Sequence, residues 1–112
     1  MKRMIVVFCA GVLLASSLVI AAQNQGPAAI EMDGGSRGKV PLPHLTHQKV
    51  LQDCNACHSI FPQKMGSIQT MKAEGSLKSK HVMNKLCIKC HRAEKKAGRK
   101  AGPVRCSDCH VR

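Results

Sequence analysis

Cys54-Asn55-Ala56-Cys57-His58, Cys87-Ile88-Lys89-Cys90-His91 and Cys106-Ser107-Asp108-Cys109-His110 are three copies of one pattern, C-x-x-C-H. This pattern is the attachment signature of c-type haem. Two thiols add across the two vinyl groups on one edge of a porphyrin, and the two intervening residues let both sulfurs reach it. The adjacent histidine is then placed under the iron as its proximal ligand. A single match could be chance or a redox dithiol. With six Cys and six His in residues 23–112, random placement gives roughly 0.03 matches. Three matches that consume every cysteine of that stretch are a design.

The other histidines extend the reading. Besides His58, His91 and His110 the sequence holds His44, His47 and His81. Three irons with proximal histidines need three further axial ligands, and three spare histidines are present. Met32, Met65, Met71 and Met83 are the competing ligands, but methionine is also a common gap-filler in cores. Bis-histidine ligation at all three irons is the expectation. Structural zinc would also use Cys and His, yet a histidine after every C-x-x-C in an exported chain suits it poorly. A catalytic dithiol would need a thioredoxin-like βαβ frame, and no such alternation is present.

Export is read from the N-terminus. Residues 4–22, MIVVFCAGVLLASSLVIAA, follow Lys2 and Arg3 and precede the polar Gln23-Asn24-Gln25. A basic start, an apolar run and small residues at Ala21-Ala22 predict a signal peptide over residues 1–22, with the remaining domain over 23–112. Cys9 falls within the apolar run and leaves with it. An uncleaved membrane anchor is the alternative, because 19 apolar residues approach the roughly 20 that span a bilayer. A bacterial periplasmic location is expected.

Residues 23–112 contain one aromatic residue, Phe61, and 19 Ile, Leu, Val, Met or Phe side chains. Aromatic residues usually dominate burial in a core, and a chain this short is marginal even with a normal one. Ordinary packing cannot hold it together; covalently attached groups must supply the core. The expected fold class is small and mostly α with an N-terminal β-hairpin, haems forming the core and little other regular structure. Ile30–Met32 and Lys39–Leu42 flank a glycine-rich turn and predict the hairpin. His44 and His47, three apart, share one face of a helix and cannot both bind the first iron, so one must serve a neighbouring haem. A helical turn around Gly66–Lys72 interrupts a loop over 59–75. Ser76 is the expected cap of a helix running to about Ala97, with Leu77, His81, Leu86 and Cys90 along one side. Residues 98–105 form a basic linker.

The formal charge is +12 for 18 Lys and Arg against 6 Asp and Glu, and loss of Lys2 and Arg3 leaves +10. Such a surplus suits an anionic partner or cofactor. Six propionates from three haems would bring it to about +4. Nucleic acid is excluded as a partner by the lack of stacking aromatics and of any recognised binding motif. No nucleotide-binding, nucleophile-elbow or paired-carboxylate motif is present, so no enzymatic activity is expected.

From Val40 to Arg112 the chain resembles the triheme cytochrome c7 family, small class III multihaem cytochromes related to cytochrome c3. The resemblance rests on the P-H-x-x-H of Pro43–His47 and on His47-Gln48-Lys49 leading to Asp53-Cys54. It rests also on the lone His81 and on Gly102-Pro103-Val104-Arg105-Cys106 before the third motif. It implies three covalent haems held by Cys54 and Cys57, Cys87 and Cys90, and Cys106 and Cys109. It further implies axial pairs His44 with His58, His47 with His91, and His81 with His110. The implied function is electron shuttling between redox proteins of anaerobic respiration, membrane-bound cytochromes or reductases among them, by a soluble monomer of low potential. The alternatives are a multihaem terminal reductase of metal ions and a membrane-tethered haem protein.

Overall fold

The computed structural model describes residues 25–112; the signal-peptide reading of residues 1–22 lies outside them. The chain opens with a two-stranded antiparallel hairpin, β1 (Ile30–Met32) and β2 (Val40–Leu42), in the register Ile30–Leu42, Glu31–Pro41 and Met32–Val40. Pro41 has no N–H to donate, which a two-stranded edge tolerates. The turn between the strands carries a 3₁₀ segment, Gly35–Arg37. Asp33 Oδ1 starts it by accepting from the Gly35 N–H at 2.8 Å. Gly38 at φ +96° then supplies the left-handed residue that returns the chain to β2.

Pro43 ends the hairpin and leads into α1 (His44–Leu51), which stops at Gln52 in the left-handed conformation. A four-residue α2 (Asn55–His58) holds the first motif, and Asp53 Oδ1 accepts its Asn55 N–H at 2.9 Å. After Gly66, at φ +73°, comes α3 (Ser67–Ala73), close to the expected helical turn. The long helix then departs from expectation. Residues 76–80 form turns, and the helical run starts at His81. Ser76 does not cap it; its hydroxyl donates back to the Met71 carbonyl at 3.1 Å and closes α3 instead. The run continues through a π-helical turn, Met83–Cys87, into α4 (Ile88–Lys96). Such wide turns often sit at functional sites, and this one ends on Cys87. A last short helix, α5 (Cys106–Cys109), carries the third motif.

The two ends of the described chain are stitched together. Lys39 N–H donates to Val111 O at 3.0 Å and Val111 N–H to Lys39 O at 2.8 Å, an antiparallel bridge onto the start of β2. Side-chain burial is very sparse. Leu77, 4% exposed, is the one buried hydrophobic residue among those described, while Leu45, Val50, Leu51 and Met65 are exposed. The observed fold is the small, mostly helical chain with an N-terminal hairpin that the sequence predicts. No helix among the described residues is long and apolar enough to cross a membrane.

Candidate functional site

The sequence brings the three motifs together through different local devices. In each, a helical turn puts the second cysteine and the histidine next to one another. The thiols of different motifs lie close enough to feel one another's charge. Burial pushes the Cys87 thiol up to about 11, with Cys57 and Cys109 adding to the rise. Burial also raises Cys57, helped by Cys90, and Cys109, helped by Asp108. A redox dithiol requires the opposite, a lowered thiol pKa.

The histidines show a common geometry. His44 Nδ1 lies 2.9 Å from Pro27 O, and His47 Nδ1 lies 2.9 Å from Pro43 O. His58 Nδ1 is 3.1 Å from Phe61 O, His91 Nδ1 2.7 Å from Pro103 O, and His110 Nδ1 3.3 Å from Gly38 O. A carbonyl only accepts, so each Nδ1 is the protonated donor and each Nε2 keeps its lone pair. This second-partner bond fixes tautomer and ring orientation in metal-ligating histidines. Five of the six predicted ligands carry it. His81, exposed at the start of its helix, does not.

Two pairs of rings face each other. His44 and His58 have centroids 6.3 Å apart with planes at 88°, and His47 and His91 are 6.2 Å apart at 28°. Two imidazoles on opposite sides of one metal, each with an N–metal bond of about 2.0–2.1 Å, have centroids about 6.3 Å apart. The structure does not bring His81 into ring contact with His110.

Glycines clear the space beside the histidine rings of the second and third motifs. At Gly102 a Cβ would stand 2.9 Å from His91 Nε2 and 3.0 Å from its Nδ1; at Gly34 it would meet His110 Nδ1 at 2.5 Å. Gly102 and Pro103 thus form a grip on His91, one yielding room and the other a carbonyl. Gly102→Ala is expected to displace the ring and destabilise the haem-loaded protein by about 1–3 kcal/mol, the usual cost of overpacking. Thermal unfolding followed at the haem absorbance checks this.

A cavity of about 460 Å³ lies at the third motif, lined by Arg37, Cys106, Ser107, His110 and Arg112. That is within the size range of cofactor pockets, roughly 300–1,000 Å³. The donor set of this site fits a c-type haem: thiols in pairs along the chain, Nδ1-anchored imidazoles paired at about the spacing that one metal between them needs, an open cavity beside Cys106 and His110, and a core that side chains leave almost unfilled. The sequence located the thiols and rings. It missed the carbonyl anchors and the clearing glycines, for which Gly-Pro at 102–103 was the available signal.

Known proteins with similar sequences and folds point the same way. The class III cytochrome c family pattern matches residues 20–110. A cytochrome c7 of Geobacter metallireducens (strain ATCC 53774 / DSM 7210 / GS-15) is 34% identical over 116 residues, covering 98% of this chain and 98% of that protein. The solved structure of PpcC, a cytochrome c7 from Geobacter sulfurreducens, is 29% identical with a TM-score of 0.54, covering 77% of this chain and 99% of that one. The solution structure of the triheme cytochrome PpcA from the same organism is 28% identical with a TM-score of 0.55, covering 77% and 100%.

Proposed function

Because the chain belongs to the class III cytochrome c family, electron-transfer proteins whose c7 members carry three c-type haems, we propose that it is a periplasmic electron shuttle and not an enzyme. Residues 1–22 direct export and are removed, and residues 23–112 form the triheme domain. Bound haem iron supplies one-electron ferric/ferrous chemistry. Cys54 and Cys57, Cys87 and Cys90, and Cys106 and Cys109 anchor the three groups as thioethers. His44 and His58 would ligate the first iron, His47 and His91 the second, and His81 and His110 the third. Two histidines per iron would leave no coordination site for a substrate and would favour low potential. Electrons enter from and leave to redox proteins of anaerobic respiration, and the shuttle works as a monomer.

The observation that carries this reading is the pairing of rings at 6.2–6.3 Å with every paired Nδ1 tied to a carbonyl. A centroid spacing of this size suits two imidazoles that share one metal, and a carbonyl on Nδ1 leaves Nε2 as the nitrogen to ligate. Since α1 carries both His44 and His47, the first two irons are held close together, as electron passage between them requires.

Intact mass and a pyridine haemochrome assay on protein recovered from the periplasm test the reading. Three haems per chain and an N-terminus near Gln23 are expected. A haem-free chain, or one still carrying residues 1–22, refutes the corresponding part.

A further inference from the structure

The cavity at the third motif holds two cations that ligation and attachment leave unused. Arg37 closes the 3₁₀ segment of the hairpin turn and Arg112 follows the bridge residue Val111, yet both line the same cavity as Cys106 and His110. The backbone explains how residues so far apart in sequence share one wall. Gly38 O receives the His110 Nδ1–H, and the Lys39–Val111 bridge fixes the following residue beside the hairpin. Any side chain at Gly38 would reach within 3.3 Å of Arg112 Cγ, so the approach is close.

Protein carboxylates do not account for the two arginines. Those on the surrounding elements are engaged elsewhere: Glu31 with Lys39 at 2.5 Å, Asp33 with the Gly35 N–H, and Asp108 with Arg105 at 2.9 Å. Neither Arg37 nor Arg112 makes an ion pair among the described residues. Before attachment, haem presents three kinds of chemistry: vinyl groups, an iron and two propionates. The cavity offers a thiol for the first, an imidazole for the second and two guanidinium groups for the third.

Resting on the triheme reading above, we propose that Arg37 and Arg112 hold the propionates of the third haem and thereby raise its potential. A guanidinium meets a carboxylate in two parallel charge-assisted hydrogen bonds, with a geometry lysine does not reproduce. Two fixed positive charges beside the ring favour the reduced iron, which carries one positive charge fewer than the oxidised.

The test follows each haem separately in an NMR-monitored redox titration of the full haem-loaded protein. Arg37→Gln and Arg112→Gln are each expected to lower the third haem's midpoint potential, and the double variant to lower it further, with the other two haems moving less. Arg37→Lys and Arg112→Lys restore only part of the shift. Lys64→Gln, removing an exposed charge outside the cavity, serves as the control. An unchanged third haem, an equal fall at all three, or full recovery with lysine overturns the proposal. Intact mass on the unsubstituted protein separates this from failure of the triheme reading, which would appear as fewer than three haems.

Discussion

Produced without haem attachment, or with its six motif cysteines replaced by serine, the chain is expected not to fold. Far-UV circular dichroism would show mostly coil, with no cooperative thermal transition. The reasons lie in each element. The hairpin has strands of three residues, and a lone two-stranded hairpin is marginal in water. Helices α1, α2, α3 and α5 run from four to eight residues, below the roughly 12–15 at which isolated helices become even marginal, and the longer run from His81 to Lys96 is interrupted by the π-turn Met83–Cys87. Along the π-turn and α4, Lys85, Lys89, Arg92 and Lys96 recur at helical spacing on exposed positions. Like charges so placed repel.

Tertiary burial does not compensate. Leu77 is the sole buried hydrophobic side chain among the described residues, and Met65 is 90% exposed. The ion pairs Lys39–Glu31, Arg99–Glu94 and Arg105–Asp108 are surface pairs, a class that contributes little. What remains is three porphyrins. Each is several times the size of the aromatic side chains that normally dominate a core, and each is tied at two cysteines to a different part of the chain. A haem-free chain that melts cooperatively would show that the polypeptide has a core of its own and would refute this account.

The same dependence explains what the sequence revealed and what it concealed. The hairpin was legible nearly to the residue, because glycine and proline specify turns through backbone sterics alone. A helix under His44 and His47 was legible from their spacing, and α1 carries both. The long helix was not. Ser76 has the side chain of a cap, but Gly75 takes φ +76° and the Ser76 hydroxyl turns to Met71 O. Competition between two acceptors is decided by tertiary placement, which side-chain type does not record.

The site divides similarly. Cysteine and histidine are chemical types at fixed spacings, so the candidate ligands from His44 to His110 could be named from the sequence. The carbonyls that orient the rings belong to Pro27, Pro43, Phe61, Pro103 and Gly38. Every residue has a carbonyl, so nothing in the sequence marks these five. The bridge from Val111 to Lys39 is hidden for the same reason, and with it the convergence of Arg37 and Arg112.

His47→Ala is the substitution expected to change the spectrum most while leaving the fold in place. His47 lies on α1 beside the first motif in sequence, yet its ring faces His91 of the second at 6.2 Å. Its partner is independently secured: His91 donates to Pro103 O at 2.7 Å and directly follows Cys87 and Cys90 in the second motif. Removing His47 therefore opens one iron without releasing its haem. The unsubstituted protein is expected to bind no carbon monoxide when reduced. The variant is expected to bind about one per chain, the single axial position the substitution vacates, and to show one high-spin haem in the oxidised state. Assigned haem signals carry the stronger test, because the altered haem must be the one attached at Cys87 and Cys90. Should it instead be the one at Cys54 and Cys57, His44 serves the second iron and the pairing read from the rings is reversed. Failure of the variant to bind carbon monoxide at all would remove His47 from the ligand set. With His44 on one iron and His47 on another, α1 would be the element that locks the first pair of haems together, and His47 its far contact.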